Sequence, residues 1–150
     1  MEKIVNAVQM QVKNLIEPLV CENDLFLEKV ALTKTGKRVL LKITVDLIDT
    51  PGGVSSDKIA YISRKISKLL DEKQPISQAY TLEVSTPGAQ RKVNTLRLWK
   101  RSVGLHIKFM YKGKSIQGKV EEIIDEEKVV ISEQEYPINE IENAETIIIF

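Results

Sequence analysis

The residues with which a protein does chemistry are scarce in this chain. His106 is the only imidazole and Cys21 the only thiol. A zinc site of the Cys/His kind needs several such ligands and is excluded. A Cys–His or Ser–His nucleophilic pair would have to use His106. Ser85 and Thr86 stand beside a Pro-Gly break, and the sequence offers no base near them. Pro87 fixes its own φ and Gly88 permits a positive one, so Ser85, Pro87 and Gly88 read as a rigid interdomain elbow. Gly113-Lys114-Ser115 imitates the end of a phosphate-binding loop, but the first glycine of that motif would fall where Lys108 stands, and the setting is a hairpin. Gly52-Gly53 precedes a helix, where backbone N–H groups could meet an anion; a simple turn is the preferred reading. Cys21 ends an apolar helix face and reads as a buried structural thiol. No catalytic residue, metal or cofactor is assigned.

The charges are more informative. The net charge is only +1, but residues 1–90 hold twelve Lys/Arg and eleven Asp/Glu, residues 91–119 nine Lys/Arg and no acid, and residues 120–150 one Lys and ten acids. A near-neutral chain is thus divided into a block of +9 and a block of −9. The basic block suits phosphates, whose neutralisation releases counterions. Its candidate contacts are Arg91, Lys92, Arg97, Lys100 and Arg101 near the elbow, extended by Lys108, Lys112 and Lys114. Trp99, among Arg97, Lys100 and Arg101, is a candidate for base stacking, weighed against packing at the domain junction. Glu140, Glu142 and Glu145 are the candidate contacts for a basic protein. The acidic run Glu121 to Glu127 reads as a solvated turn.

Elements must position these groups. Ile4, Val8, Val12, Leu15, Ile16, Leu19 and Val20 form one helical stripe, with Pro18 as a kink or a last turn. Strands are expected over Phe26–Thr33 and Val39–Leu47. The first places Phe26, Glu28, Val30 and Leu32 on one side, and the second alternates Val39, Leu41, Ile43 and Val45 with polar neighbours. A second helix is capped by Ser55 or Ser56 and striped by Ile59, Ile62, Ile66, Leu69 and Leu70, with Lys58, Arg64, Lys65 and Lys68 off the stripe. A third strand spans Tyr80–Ser85. After one helical turn around Asn94–Lys100 come five short strands: Leu105–Tyr111, Lys114–Ile124, Lys128–Ser132, Glu135–Ile138 and Ala144–Phe150. In the first of these, Leu105, Ile107, Phe109 and Tyr111 face the core, while His106, Lys108, Met110 and Lys112 face out. The expected class is α+β: an αββαβ two-layer domain over 1–88, then a five-stranded β-module over 89–150.

Hydrophobic residues are 43% of the 150, enough for packed cores. No apolar run reaches the roughly 20 residues a bilayer span needs, and the N-terminus lacks a signal-peptide pattern. With a single cysteine excluding an internal disulfide, a soluble cytoplasmic protein is expected, with neither a membrane nor a small-molecule substrate as partner.

Several of these residues together resemble the bacterial RimP family of ribosome maturation factors. They are the αββαβ order, Asp46 at its strand end, Gly52-Gly53-Val54, the helix Ile62 to Asp71, and above all Tyr80-Thr81-Leu82-Glu83-Val84-Ser85-Thr86-Pro87-Gly88-Ala89-Gln90-Arg91. The last resembles the family's strand, Ser-Pro-Gly break, small residue, acid and Arg. Val103-Gly104 also matches. Thr86 stands where Ser is usual, Gln90 where an acid is usual and Lys92 where Pro is common. The resemblance implies an Sm-like, SH3-like β-barrel for the second domain. It also implies a non-enzymatic role in maturing the small ribosomal subunit, with the immature subunit, one of its ribosomal proteins (the twelfth of the small-subunit series) and rRNA as partners. The alternatives are a β-barrel module that binds basic proteins without touching RNA, and an enzyme built on His106 or paired carboxylates.

Overall fold

The apolar stripes gather into two separate cores in the computed structural model, which describes residues 2–88 and 91–148, with side chains from Ile4 onward. The chain divides into two compact units: Met1–Leu47 with Gly53–Pro87, and Ile48–Gly52 with Gly88–Phe150. Sequence periodicity gave no sign that residues 48–52 belong to the second unit. Gln90 and the final residues of the strand expected over Ala144–Phe150 lie outside the described residues.

In the first unit, α1 (Glu2–Glu22) buries Val12, Ile16 and Val20. Pro18 lies inside this helix, which continues for another turn. Its C-terminal carbonyls are met locally: the Asn23 side chain donates to Leu19 O at 2.8 Å, and the Asp24 N–H donates to Cys21 O at 3.1 Å. Cys21 is exposed, which corrects the buried reading, because it follows Val20 on the turn that rotates out of the stripe. Helix α2 (Ser56–Lys73) starts at Ser55, whose Oγ accepts from the Lys58 N–H at 3.2 Å. It buries Ile62, Ile66 and Leu70 and ends on Gln74 in the left-handed region.

Strands β1 (Leu25–Thr35), β2 (Arg38–Leu47) and β3 (Thr81–Ser85) form a sheet in the order β1-β2-β3. The β1–β2 pair is antiparallel and β2–β3 parallel. A parallel return requires a crossover, and α2 supplies it. Val39, Leu41, Ile43 and Val45 are all buried, as their alternation requires. The first strand departs from its expected face. A register shift between Leu27 and Lys29 inserts a bulge at Glu28, so Leu25 and Leu27 are buried before it and Leu32 after it, while Phe26 is 38% exposed. A bulge adds one residue and so exchanges the two faces of a strand.

In the second unit, α3 (Leu96–Arg101) is followed by β4 (His106–Tyr111), β5 (Lys114–Ile124), β6 (Lys128–Ile131), β7 (Gln134–Pro137), a 3₁₀ turn (Ile138–Glu140) and β8 (Ile141–Thr146). All strand pairs are antiparallel, in the order β7-β6-β5-β4-β8. The pairing among the described residues leaves β7 and β8 at the two ends and does not close the barrel that the family resemblance implied. Residues Arg91–Val93 line the outer side of β8: the Val93 N–H donates to Ala144 O at 2.8 Å, and the Thr146 N–H donates to Arg91 O at 2.9 Å. A covered edge cannot template pairing with another chain. The β4–β5 hairpin closes on Lys112 and Gly113, both at positive φ (48° and 77°), the two-residue turn whose twist suits adjoining strands.

The core of this unit is a train of aromatic rings in edge-to-face contact. Trp99 meets Phe109 at 6.3 Å, Phe109 meets Tyr136 at 5.3 Å, and Tyr136 meets Tyr111 at 5.1 Å between centroids. Such pairs contribute about 0.5–1.5 kcal/mol each beyond burial. Leu105 precedes β4 and is 48% exposed. It does not join Ile107 and Phe109 in the core, because the strand begins one residue later.

Gly118 on β5 sits against β6. A Cβ there would lie 2.7 Å from Ile131 Cγ2 and 2.9 Å from Ser132 Oγ. Ile131 is fully buried and its branched methyl has little room to yield. Gly118→Ala is expected to lower unfolding stability by about 1–3 kcal/mol, read as a lower urea midpoint with unchanged slope. An unchanged midpoint would show that the sheet is looser here than those separations imply.

Candidate nucleic-acid interface

The nine cations of the basic block fall into different environments. Helix α3 begins at Thr95, whose Oγ1 accepts from the Leu98 N–H at 3.2 Å, and places three of them along itself. Arg97 is half-buried and donates to Ile48 O at 3.2 Å. Arg101 is only 9% exposed. Its guanidinium donates to Thr50 O and Gly52 O, each at 2.7 Å. Lys100 reaches Glu126 Oε1 at 2.8 Å and Asp49 at 3.7 Å. These three cations are therefore engaged by segment 48–52 and by the β5–β6 turn. Trp99 is 2% exposed, so it is a core residue and not a stacking platform.

The hydrogen bond with Glu126 raises the Lys100 ammonium above its ordinary pKa, and the same bond holds the Glu126 carboxyl below the ordinary carboxylate range. Arg91 is half-buried; its N–H donates to Thr146 Oγ1 at 2.9 Å.

The remaining predicted cations, Lys92, Lys108, Lys112 and Lys114, are exposed. Strand register decides which of them act together. Lys108 stands opposite Gln117 on β5 and opposite Glu145 on β8. The backbone of Lys92 pairs antiparallel with that of Glu145. Lys114 stands opposite Tyr111, so it lies on the other face from Lys108, against the expectation that it joins that patch. The residue that shares the Lys108 face is Lys119, opposite His106. It is exposed. Its alternation with Gly118 and Val120 is the signal in the sequence that places it there. Lys112 sits at the turn with its Nζ 5.3 Å from the Tyr111 ring.

Two of the acids fall on the same face. Between Lys108 and Met110 on β4 the facing residues on β8 are Glu145 and Glu142. Asn143, at φ 53°, takes up the extra residue, so both glutamates project to one side. Glu140 is exposed in the 3₁₀ turn. Beside the bulge is a cavity of about 380 Å³ lined by Lys92, Lys108, Phe109, Met110, Asn143, Ala144 and Glu145. Residues expected to serve separate partners, the basic and the acidic sets, are thus brought together here. Two ammonium groups, a carboxylate, a side-chain amide and a thioether can receive a ligand that offers an anion beside a hydrogen-bond donor.

The elbow residues are not among those that line this cavity. Ser85 ends β3, opposite Thr44. The first unit ends at Pro87. Gly88 does not adopt the positive φ that sequence alone allowed it. No hydrogen bond among the described residues joins the His106 ring to a hydroxyl, thiol or carboxylate. Among the described residues no group of three or more His, Cys, Asp or Glu side chains could hold a metal ion. No helix is long and apolar enough to cross a membrane.

These features define a class: a two-unit α+β protein with a set of exposed cations around a mixed-charge cavity. The family model described as the RimP N-terminal domain matches residues 15–90, about half of the chain, from the middle of α1 past the end of β3. The chain belongs to the RimP family, whose members are ribosome maturation factors and not enzymes.

Replacing Arg101 by Met should cost about 1.5–3 kcal/mol, the range for charged hydrogen bonds, with Arg101→Lys recovering only part of it. Denaturant unfolding measures both. In an NMR titration the Glu126 carboxyl is expected below the ordinary glutamate value, and to return toward it in Lys100→Met. Because the folded value is the lower one, the pair's stabilisation is complete above the unfolded pKa and is lost as pH falls through the folded one. A Glu126 that titrates identically in both proteins would show that the pair does not form in solution.

Proposed function

We propose that this chain is a non-enzymatic, cytoplasmic maturation factor that binds the immature small ribosomal subunit and assists its assembly. Family membership supports the maturation role. The observation that supports a direct contact is the cavity beside the β8 bulge, with Lys92 and Lys108 at its wall and Lys112 and Lys119 exposed along the adjoining hairpin. In this reading the second unit is an Sm-like module that receives rRNA phosphates on its lysines and a small-subunit ribosomal protein on its glutamates. It uses no cofactor, small-molecule substrate or membrane. Ser85, Pro87 and Gly88 serve as the elbow where the chain passes from the first unit, which ends at Pro87, into the second.

One observation favours a second reading. Glu142 and Glu145 are turned to a single side by the bulge, as a module that captures basic proteins without touching RNA would need. Salt separates the two. Removing one lysine that neutralises a phosphate of a single strand makes the slope of log K against log salt shallower by about 0.7.

In sucrose gradients at low salt the protein is expected to travel with free small subunits. The double variant Lys92→Glu, Lys108→Glu should bind rRNA fragments at least about 10-fold more weakly, with a salt slope shallower by about 1.4. A wild-type protein that never comigrates with small subunits sinks the proposal. Comigration that the double variant leaves intact favours the protein-binding reading.

A further inference from the structure

The outward face of α2 plays no part in the interface described above. Ile62, Ile66 and Leu70 face the core, and the opposite side of the helix presents Tyr61, Arg64, Lys65 and Lys68. The last three are exposed, and Tyr61 is 41% exposed. Their spacing, i, i+3, i+4 and i+7, aligns them along about 10 Å of one helix face. Lys65 holds its Nζ 5.6 Å from the centre of the Tyr61 ring, within the range of a cation–π contact.

The charge pattern does not serve the helix. From Lys58 to Leu70 there is no Asp or Glu; Asp57, Asp71 and Glu72 stand only at the two ends. Arg64 and Lys68 are like charges four residues apart, a spacing that weakens a helix. No carboxylate among the described residues pairs with Arg64, Lys65 or Lys68. Cations that repel one another and pair with no carboxylate among the described residues, set beside an exposed aromatic ring, match what a nucleic-acid strand offers: phosphates for the cations and a base face for the ring.

We propose that Tyr61, Arg64, Lys65 and Lys68 form a second binding surface, on the first unit, for single-stranded RNA, with Tyr61 stacking on a base and the three cations meeting phosphates. The proposal rests on the reading of the chain as a factor that binds the immature small subunit, and it assigns this surface to unpaired rRNA. Duplex RNA fits less well, because its bases are stacked on one another and offer no free face to Tyr61.

The test uses the full chain and a fluorescently labelled single-stranded RNA oligonucleotide, with the same sequence annealed to its complement as the second probe. The wild type should bind the single strand more tightly than the duplex. Tyr61→Ala should weaken single-strand binding about 10-fold, while Tyr61→Phe retains it. The triple variant Arg64→Ala, Lys65→Ala, Lys68→Ala should flatten the salt slope by about 2, three contacts at roughly 0.7 each. All four positions are on the surface and alanine favours helix, so unchanged circular dichroism melts are expected and separate binding from folding. The proposal is overturned if both variants bind the single strand as the wild type does, or if they lose a purified ribosomal protein while keeping RNA. Cosedimentation of the wild type with small subunits, run in parallel, tells this failure apart from failure of the functional reading itself.

Discussion

An arginine that is nine-tenths buried must have its donors met, and Arg101 donates to two backbone carbonyls about fifty residues earlier in the chain, Thr50 O and Gly52 O. Much of the second unit's surface follows from that requirement. The helix that presents Arg101 also presents Arg97 to Ile48 O and Lys100 to Asp49 and Glu126. Segment 48–52, which sequence joins to the strand before it and the helix after it, therefore belongs to the second unit. Three of the nine cations in the basic block act as anchors. Those around the β8 bulge and the first hairpin are the ones that remain for a ligand.

The division could not be read from composition. An arginine in a run of lysines looks like any other surface charge until its acceptors are located, and these lie far away in sequence. What sequence did reveal were features of strict period. The stripes of α1 and α2 and the alternation of β2 were legible because each places its apolar residues on one face without interruption. The exposure of Lys108, Lys112 and Lys114 followed from the same logic.

Legibility ended at the bulges. Alternation predicts a face only while the residue count holds. At Glu28 the count changes, so Phe26 is exposed and Leu25 and Leu27 are buried. At Asn143 it changes again and brings Glu142 and Glu145 to one side. Neither Glu nor Asn announces a bulge as a glycine within a strand can. The glycine that does lie within a strand, Gly118, has a different reason to be there, since any side chain would press on Ile131. The expectation that Lys114 joins the Lys108 patch fails for a related reason. Its exposure was evident, but which lysines are neighbours depends on cross-strand register, which the turn at Lys112-Gly113 sets.

The two charged surfaces differ in what they can discriminate. On the second unit, Glu145 stands directly across from Lys108 and opposite Lys92 in backbone pairing. An approaching phosphate there meets attraction and repulsion at once, so position matters more than total charge. On α2 the cations have no acid among them between Lys58 and Leu70. That surface attracts any phosphate chain, and the attraction is screened over about 8 Å at physiological ionic strength. In the proposed function the uniform face would supply attraction and rate, while the mixed one supplies orientation, since only a ligand correctly placed satisfies both signs. A near-neutral chain can in this way be locally basic enough for RNA without the strong net charge that promotes indiscriminate binding.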